Sequence, residues 1–314
     1  MGYDSQLVFE PKRTIWHLPL NKELIKGLEL TKDDVVIIQK FKTRSTKRII
    51  QELRNYPIKV GYIDCDEPIV PDIAHLADFT IVPSSFMQKR YEEHGVSAFC
   101  IEDSPEKFVD EAKTQSDNQP LKCVWFGNHS KSKWKEVTYF EQLLKKHNIT
   151  DWQFETISNI DKATHRWNKD SFNKLTEYDL VVIPVPEMSL DYKIKSSNRL
   201  LQSMALRLPV LASPIPSYVD VVEDHGIFDD IICENETDWV EKLRYYSNSE
   251  VRKRVGGKNL DIAYSFDLDS IILNWISIMG LTQSKPRLLN FRIVSFIKRK
   301  AFSPFKAIKP PFFA

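Results

Sequence analysis

Glycine is scarce in this sequence. Nine glycines are spread over 314 residues, and none falls into a G-x-G-x-x-G or G-x-x-x-x-G-K-[ST] pattern. Loops that bring the backbone against a pyrophosphate need glycine at those spacings, so the sequence argues against a nicotinamide dehydrogenase and a P-loop kinase. Cysteine is scarcer still. Cys65, Cys100, Cys123 and Cys233 lie far apart, each in or beside an apolar run, and no pair has metal-ligand or redox spacing. They read as free, buried thiols in a reducing compartment. No apolar run reaches the roughly 18 residues that suggest a membrane-crossing helix. The best, Ile271–Leu281, is interrupted by Asn274 and Ser277. The N-terminus lacks a basic segment leading into an apolar one, and Gln6 stands where an acylation signal has Ser or Thr. A cytoplasmic chain is expected, peripheral on the inner face of a membrane rather than spanning it. An excess of one charge is also missing. Lys and Arg number 44 against 43 Asp and Glu, a net +1, and no nucleic-acid partner is expected. That balance hides an asymmetry: from Lys285 onward there are eight cations and no acid, which leaves the preceding residues at −7.

What is present is alternation. Short apolar runs alternate with helical periodicity almost throughout, the pattern of parallel α/β layers. In the first half the strand candidates are Gln6–Phe9, Val35–Lys40, Ile58–Asp64, Phe79–Val82 and Ala98–Ile101. Helical stretches at Ser45–Asn55, Pro71–Ala77 and Ser85–His94 lie between them. The pattern lapses over Asp103–Pro120, a polar, turn-rich stretch. It resumes with the strand Leu121–Phe126, the helix Trp134–Lys146, the strands Gln153–Ile157 and Leu180–Val185, and the helix Ser197–Leu206 leading into the strand Pro209–Ala212. Helices at Trp239–Tyr246 and Leu268–Met279 follow. The expected organisation is an N-terminal Rossmann-like domain over 1–110, a linker over 111–120, a second Rossmann-like domain over 121–280 and a basic amphipathic tail over 281–314. A ligand is expected in the cleft between two such domains, at the carboxyl ends of the strands.

The most informative stretch is Lys193–Ser213. Ser196, Ser197 and Asn198 are strong helix-capping residues and set the start of a helix. Such a start offers unpaired N–H groups and about half a positive charge, a seat for phosphate. Lys193, Lys195 and Arg199 bring three cations to the same end, an arrangement that opposes the helix dipole unless an anion sits there. Gly127 and Asn128, just past the strand Leu121–Phe126, occupy the place of a ligand-facing loop, where His129, Lys131 and Lys133 could add charge. Asp64-Cys65-Asp66-Glu67 has the spacing of a carboxylate metal motif. It lies in the other half, so a turn or capping role is expected and no metal site is assigned. His75 and His165 read as structural.

Lys193–Ser213, with Leu200-Leu201 and Met204-Ala205 running into Pro209-Val210 and Ala212-Ser213, resembles the donor-binding helix and strand of the "group 1" GT-B glycosyltransferases, retaining enzymes of the bacterial polysaccharide type. Pro214–Glu223, Thr164–Trp167 and Tyr178–Pro184 are similar to the family's neighbouring elements. The resemblance implies a two-domain GT-B fold and sugar transfer from a nucleoside-diphosphate-sugar to a glycan or lipid-linked acceptor, without metal or other cofactor. Lys195 and Arg199 would act on the leaving diphosphate. Lys193, Ser196, Ser197, Asn198, Gln202, Gly127 and Asn128 would bind the donor, and Asp64 would be the base if transfer is inverting. Three departures stand out. The family's two glutamates fall near Ile194 and on Gln202, its helix-ending glycine falls on Arg207, and the first domain looks shortened at its N-terminus. They leave open a non-catalytic GT-B-like scaffold or an NDP-sugar epimerase. The tail from 285 to 314, where phenylalanines alternate with cations, is expected to hold the chain on an anionic membrane surface, with Arg287–Phe302 as a helix in the headgroup plane.

Overall fold

The computed structural model describes residues 4–9, 25–65, 67–109, 111, 117, 120–128, 134–280 and 292–297. The chain divides into two compact units, one of residues 1–101 with 272–314 and the other of residues 102–271.

In the first unit, strands β1 (Asp4–Phe9), β2 (Val35–Gln39), β3 (Lys59–Ile63), β4 (Phe79–Val82) and β5 (Ala98–Cys100) alternate with helices α1 (Arg44–Leu53), α2 (Pro71–Ala74) and α3 (Ser85–Glu92). Val35, Val36, Ile37 and Ile38 are all buried, as a strand covered on both faces requires. Helix α1 turns Thr46, Ile49, Ile50 and Leu53 inward, and Ser84 caps α3 by accepting the Met87 N–H.

The C-terminal segment departs from the expected tail. Residues Arg292–Ile297 form a strand that pairs in parallel with both β1 and β2, with Ile293 opposite Val35 and Ile297 opposite Gln39. The sheet order, with this strand written last in chain order as β11, is β1-β11-β2-β3-β4-β5. Ile293, Val294, Phe296 and Ile297 have high strand propensity, and pairing satisfies backbone edges that β1 and β2 would otherwise leave open. This segment is therefore not part of a helix in the headgroup plane. The rest of the tail, residues 281–291 and 298–314, lies outside the described residues.

The second unit holds β6 (Leu121–Phe126), α4 (Trp134–Lys146), β7 (Trp152–Ser158), β8 (His165–Arg166), α5 (Ser171–Leu175), β9 (Leu180–Ile183), α6 (Leu190–Lys193), α7 (Asn198–Ala205), β10 (Val210–Ala212), α8 (Pro216–Asp224), α9 (Phe228–Ile231), α10 (Glu236–Tyr245) and α11 (Ser249–Tyr264). Helix α12 (Leu268–Met279) spans the boundary at Ile271/Ile272. The five strands run parallel in the order β10-β9-β6-β7-β8. The order reverses at β6, which puts the topological switch point between β6 and β9, where such sheets bind ligands. Trp125, Phe140, Trp239, Leu243 and Tyr246 fill the core, with Phe140 edge-on to Trp239 at 5.5 Å.

The break between units falls at Ile101/Glu102, ahead of the 111–120 linker read from composition. Residues 106–109 are tied to α7 instead. The N–H groups of Glu106 and Lys107 donate to Gln202 Oε1, Gln202 Nε2 donates to the Lys107 carbonyl, and the Val109 N–H donates to the Ala205 carbonyl. Phe108 stacks on Tyr264 at 5.0 Å. A polar stretch can thus be ordered by hydrogen bonds that no local pattern announces.

Candidate functional site

The carboxyl edge of the second sheet gathers most of the residues singled out from the sequence. Strand β6 ends at Phe126, and Gly127 is fixed to the end of β7: its N–H donates to the Ile157 carbonyl, and Ser158 Oγ donates to the Gly127 carbonyl at 2.7 Å. Under this loop lies a buried charge pair. Glu136, in the first turn of α4, accepts the Trp125 indole N–H at 2.6 Å and Arg199 Nη1 at 2.9 Å on the same oxygen, Oε2. The Arg199 guanidinium lies 5.9 Å from the Trp125 ring centre, and a Cβ on Gly127 would be 3.7 Å from Arg199 Nη1. Burial alone would lower the Arg199 pKa, but Glu136 and Tyr218 beside it outweigh burial and keep the cation. Tyr192 and Tyr218 close the cluster. Burial raises both phenols, with Glu136 adding to the rise at Tyr192 and Arg199 opposing it at Tyr218.

Arg199 is therefore turned inward against Glu136. Its side chain is 14% exposed and that of Glu136 is not exposed at all. Removing one partner of such a pair leaves an uncompensated buried charge, at a cost of about 3–5 kcal/mol. Arg199 fastens the start of α7 to α4, and Lys193 and Lys195, both half-buried, stand at the same helix end. Lys195 follows α6 with its N–H on the Tyr192 carbonyl. Ser196 and Asn198 are half-buried, whereas Ser197 is fully buried.

Orphaned polar atoms mark the same edge. Among the described residues, Asn128 Oδ1, Glu136 Oε1, Ser197 Oγ and Ser217 Oγ are buried without a hydrogen-bond partner. Ser197 precedes α7 and Ser217 lies in the first turn of α8. A buried polar atom without a partner is rare, and four on the elements framing one switch point suit a polar ligand held there.

Two expected site residues are occupied elsewhere. Gln202 is 2% exposed and its amide is spent on residues 106 and 107. Asp64, at the end of β3 in the first unit, is fully buried. One of its oxygens takes Lys42 Nζ at 2.6 Å and the other takes the Tyr91 hydroxyl, so Asp64 holds Lys42 rather than facing solvent as a base. Burial, with Asp64 alongside, pushes the Tyr91 phenol far up. Asp66, His129, Lys131 and Lys133 lie outside the described residues. His75 Nε2 meets the His94 carbonyl at 3.2 Å, a structural contact. Among the described residues no three His, Cys, Asp or Glu side chains gather to hold a metal ion, and no helix is long and apolar enough to cross a membrane.

Sequence reading missed Glu136, Tyr192 and Tyr218. For Glu136 a signal existed: it shares a helical face with Phe140 and Leu143, at i, i+4 and i+7, and an acid on an apolar face demands a cation from elsewhere. It also missed a cavity of ≈ 430 Å³ at the β8 edge of the sheet, where His165, Arg166, Asn168, Ser171 and Asn173 form part of the wall.

No protein-family model matches the sequence, and no curated protein matches it. Solved structures do. Staphylococcus aureus TarM, in complex with fondaparinux, α-GlcNAc-glycerol and UDP, is similar at TM-score 0.56 and 14% identity, over 80% of this chain and 56% of that one. An α,α-trehalose-phosphate synthase (UDP-forming) from Burkholderia vietnamiensis is similar at TM-score 0.56 and 9% identity, over 84% of this chain and 74% of that one. A glycosylation associate protein (Gap123) complex from Streptococcus agalactiae is similar at TM-score 0.53 and 13% identity, over 82% and 58%. The chain spans little more than half of TarM, 56% and 55% in two structures. At these identities the likeness is one of fold alone, the GT-B fold of glycosyltransferases with its Rossmann-like α/β units.

Proposed function

We propose that this chain is a glycosyltransferase that moves a sugar from a nucleoside-diphosphate donor to a glycan or lipid-linked acceptor. The observation that carries the proposal is the start of α7, where a helix N-terminus, the orphaned Ser197 hydroxyl and Lys195 meet the Gly127-Asn128 loop side of a switch point. The fold is one that binds UDP in TarM. The donor diphosphate would accept N–H groups from the first turn of α7 and charge from Lys193 and Lys195, while Arg199, Glu136 and Trp125 keep that turn in place. As the bond from sugar to diphosphate breaks, negative charge grows on the leaving oxygens, and fixed donors there lower the barrier. They supply the charge that a divalent cation would supply elsewhere, so transfer is proposed to be metal-independent. With both Asp64 oxygens engaged, the acceptor proton is assigned to a phosphate oxygen of the departing diphosphate, the retaining course. Lys298, Arg299, Lys300, Lys306 and Lys309 would add salt-sensitive attraction to the inner face of a membrane.

A thermal-shift panel of UDP-, GDP-, dTDP- and ADP-sugars tests this reading. A donor at 100 times its Kd should add about 2.7 kcal/mol of stability. Lys195→Ala should lower kcat/KM by about 10- to 100-fold, the worth of one charge-assisted hydrogen bond, with little change in folding. Unchanged affinity and turnover in that variant would remove Lys195 from the site. A second reading is a non-catalytic GT-B-like scaffold. It is favoured by the inward commitment of Gln202 and Asp64, and one fold neighbour is itself described as a glycosylation-associated protein. Nucleotide binding without turnover or donor hydrolysis would support it.

A further inference from the structure

Glu155, Tyr178 and His165 form a hydrogen-bonded group that the transfer chemistry leaves unused. Glu155 stands on β7, 8% exposed. Its Oε1 accepts the Gln153 amide at 2.8 Å, and its Oε2 accepts the Tyr178 hydroxyl at 2.5 Å. His165 Nε2 lies 2.9 Å from that same Oε2. Burial pushes the Glu155 carboxyl up, but the bonds from Tyr178 and His165 outweigh burial and hold it below the usual carboxylate range. An ionised carboxylate only accepts hydrogen bonds, so Nε2 of His165 carries the proton. In the neutral ring Nδ1 is then an acceptor, and among the described residues no group bonds it. The ring is half-exposed and lines the cavity at the β8 edge.

This cavity shares an edge with the proposed diphosphate seat. Ser158, at the end of β7, bonds the Gly127 carbonyl through its hydroxyl, and its own carbonyl accepts the Trp167 N–H at 2.7 Å. Strands lie about 4.8 Å apart, so β8 is about 10 Å from β6 across the sheet, the scale of a nucleoside's reach from its phosphates to its base. Asn168, Ser171 and Asn173 place polar groups in the rest of the wall, beside Ile157.

We infer that His165 is a specificity-determining residue that reads the base of the nucleotide donor, selecting a base whose pairing edge presents a ring N–H. Uracil and thymine offer N3–H and guanine offers N1–H; cytosine N3 and adenine N1 are acceptors and would face the Nδ1 lone pair. The inference rests on the glycosyl-donor reading above. Sites built around one hydrogen bond reject the analogue that cannot make it, because the partner is left unpaired.

The test uses the full chain and two pairs of free nucleotides, UDP with CDP and GDP with ADP, each titrated by calorimetry. The wild type should bind the ring N–H member of at least one pair tenfold or more tightly than its partner. His165→Phe keeps the ring volume, removes the acceptor and should bring that ratio close to one. Glu155→Gln presents an amide N–H to Nε2, moves the ring proton to Nδ1 and should reverse the preference; ¹⁵N chemical shifts of the His165 ring report that tautomer without any nucleotide. If Glu155→Gln does not fold, His165→Phe, at a half-exposed position, still decides. A preference unchanged by His165→Phe, or a wild-type preference for CDP or ADP, overturns the inference and leaves the donor reading standing. A wild type that binds none of the four overturns both.

Discussion

Arg207→Gly should stabilise the second unit, and the geometry around it allows the size to be worked out. Helix α7 ends in a Schellman arrangement, in which the Leu208 N–H donates to the Ser203 carbonyl and the Arg207 N–H to the Met204 carbonyl. Arg207 occupies the left-handed position of that motif, at φ 57°. A side chain there brings Cβ against the following carbonyl, costing roughly 1–2 kcal/mol, which glycine avoids. The turn cannot relax sideways. Gly256 of α11 packs so closely that a Cβ on it would lie 2.4 Å from the Arg207 carbonyl oxygen. Arg207 Nε is also buried without a partner, so the guanidinium gives up hydration there without a hydrogen bond in return. Against these stand the greater unfolded-state freedom of glycine, about 0.5–1 kcal/mol, and the packing of the arginine stem. The net should be a gain of about 1 kcal/mol. Five of the seven tryptophans lie between residues 102 and 271, so tryptophan fluorescence in urea follows this unit. With an m-value of about 3 kcal/mol/M, the midpoint should rise by about 0.3 M at constant m. A midpoint that falls would show that the arginine stem is worth more than the strain it imposes.

The Glu136–Arg199 pair should behave as a unit. Glu136→Ala should cost about 3–5 kcal/mol in the same urea assay, whereas Glu136→Leu with Arg199→Met should recover most of it, and equal losses in the two variants would refute the pairing argument. A chain ending at Gly280 lacks β11 and leaves β1 and β2 without the strand between them. It should associate through the opened edges in size-exclusion chromatography, and a monomer of unchanged melting temperature would show that β11 is dispensable. Glu155 is held below its ordinary value of 4.5, so its contribution is fully present above that pH and is lost as pH falls through the lower folded value. The stability difference between wild type and Glu155→Gln should stay level from about pH 6 to 8 and close in acid below about pH 4.5; a gap that widens in acid would contradict the sign.

Most strands were legible because they are buried on both faces. Val35–Gln39 and Leu180–Ile183 are apolar runs with no partner reading, and Trp134–Lys146 carries an apolar face between clear boundaries. Helix α11 was missed for a reason visible in its contacts. Gly256-Gly257 lowers the local helix preference, yet Gly256 is what lets α11 approach the Arg207 turn, so tertiary fit overrode propensity. Strand β11 failed differently. A six-residue run such as Arg292–Ile297 fits a helical stripe and a strand equally well, and its partners lie more than 250 residues away in sequence.

The candidate site divides along the same line. The helix start and its cations are local properties, readable at Ser197 and Lys195, although the Ser197 hydroxyl makes no capping bond to the helix. The direction in which each side chain spends its bonds depends on residues brought together by the fold. Arg199 meets Glu136 from α4, and Gln202 meets the backbone of residues 106 and 107. A cation at a helix start is thus ambiguous until every buried acid in the chain has been given a partner. Glu136, a carboxylate with no exposed surface, takes one N–H of Arg199 and turns the guanidinium inward. On the reading proposed above, removal of Arg199 should therefore cost folding stability, whereas removal of Lys195 should leave folding little changed.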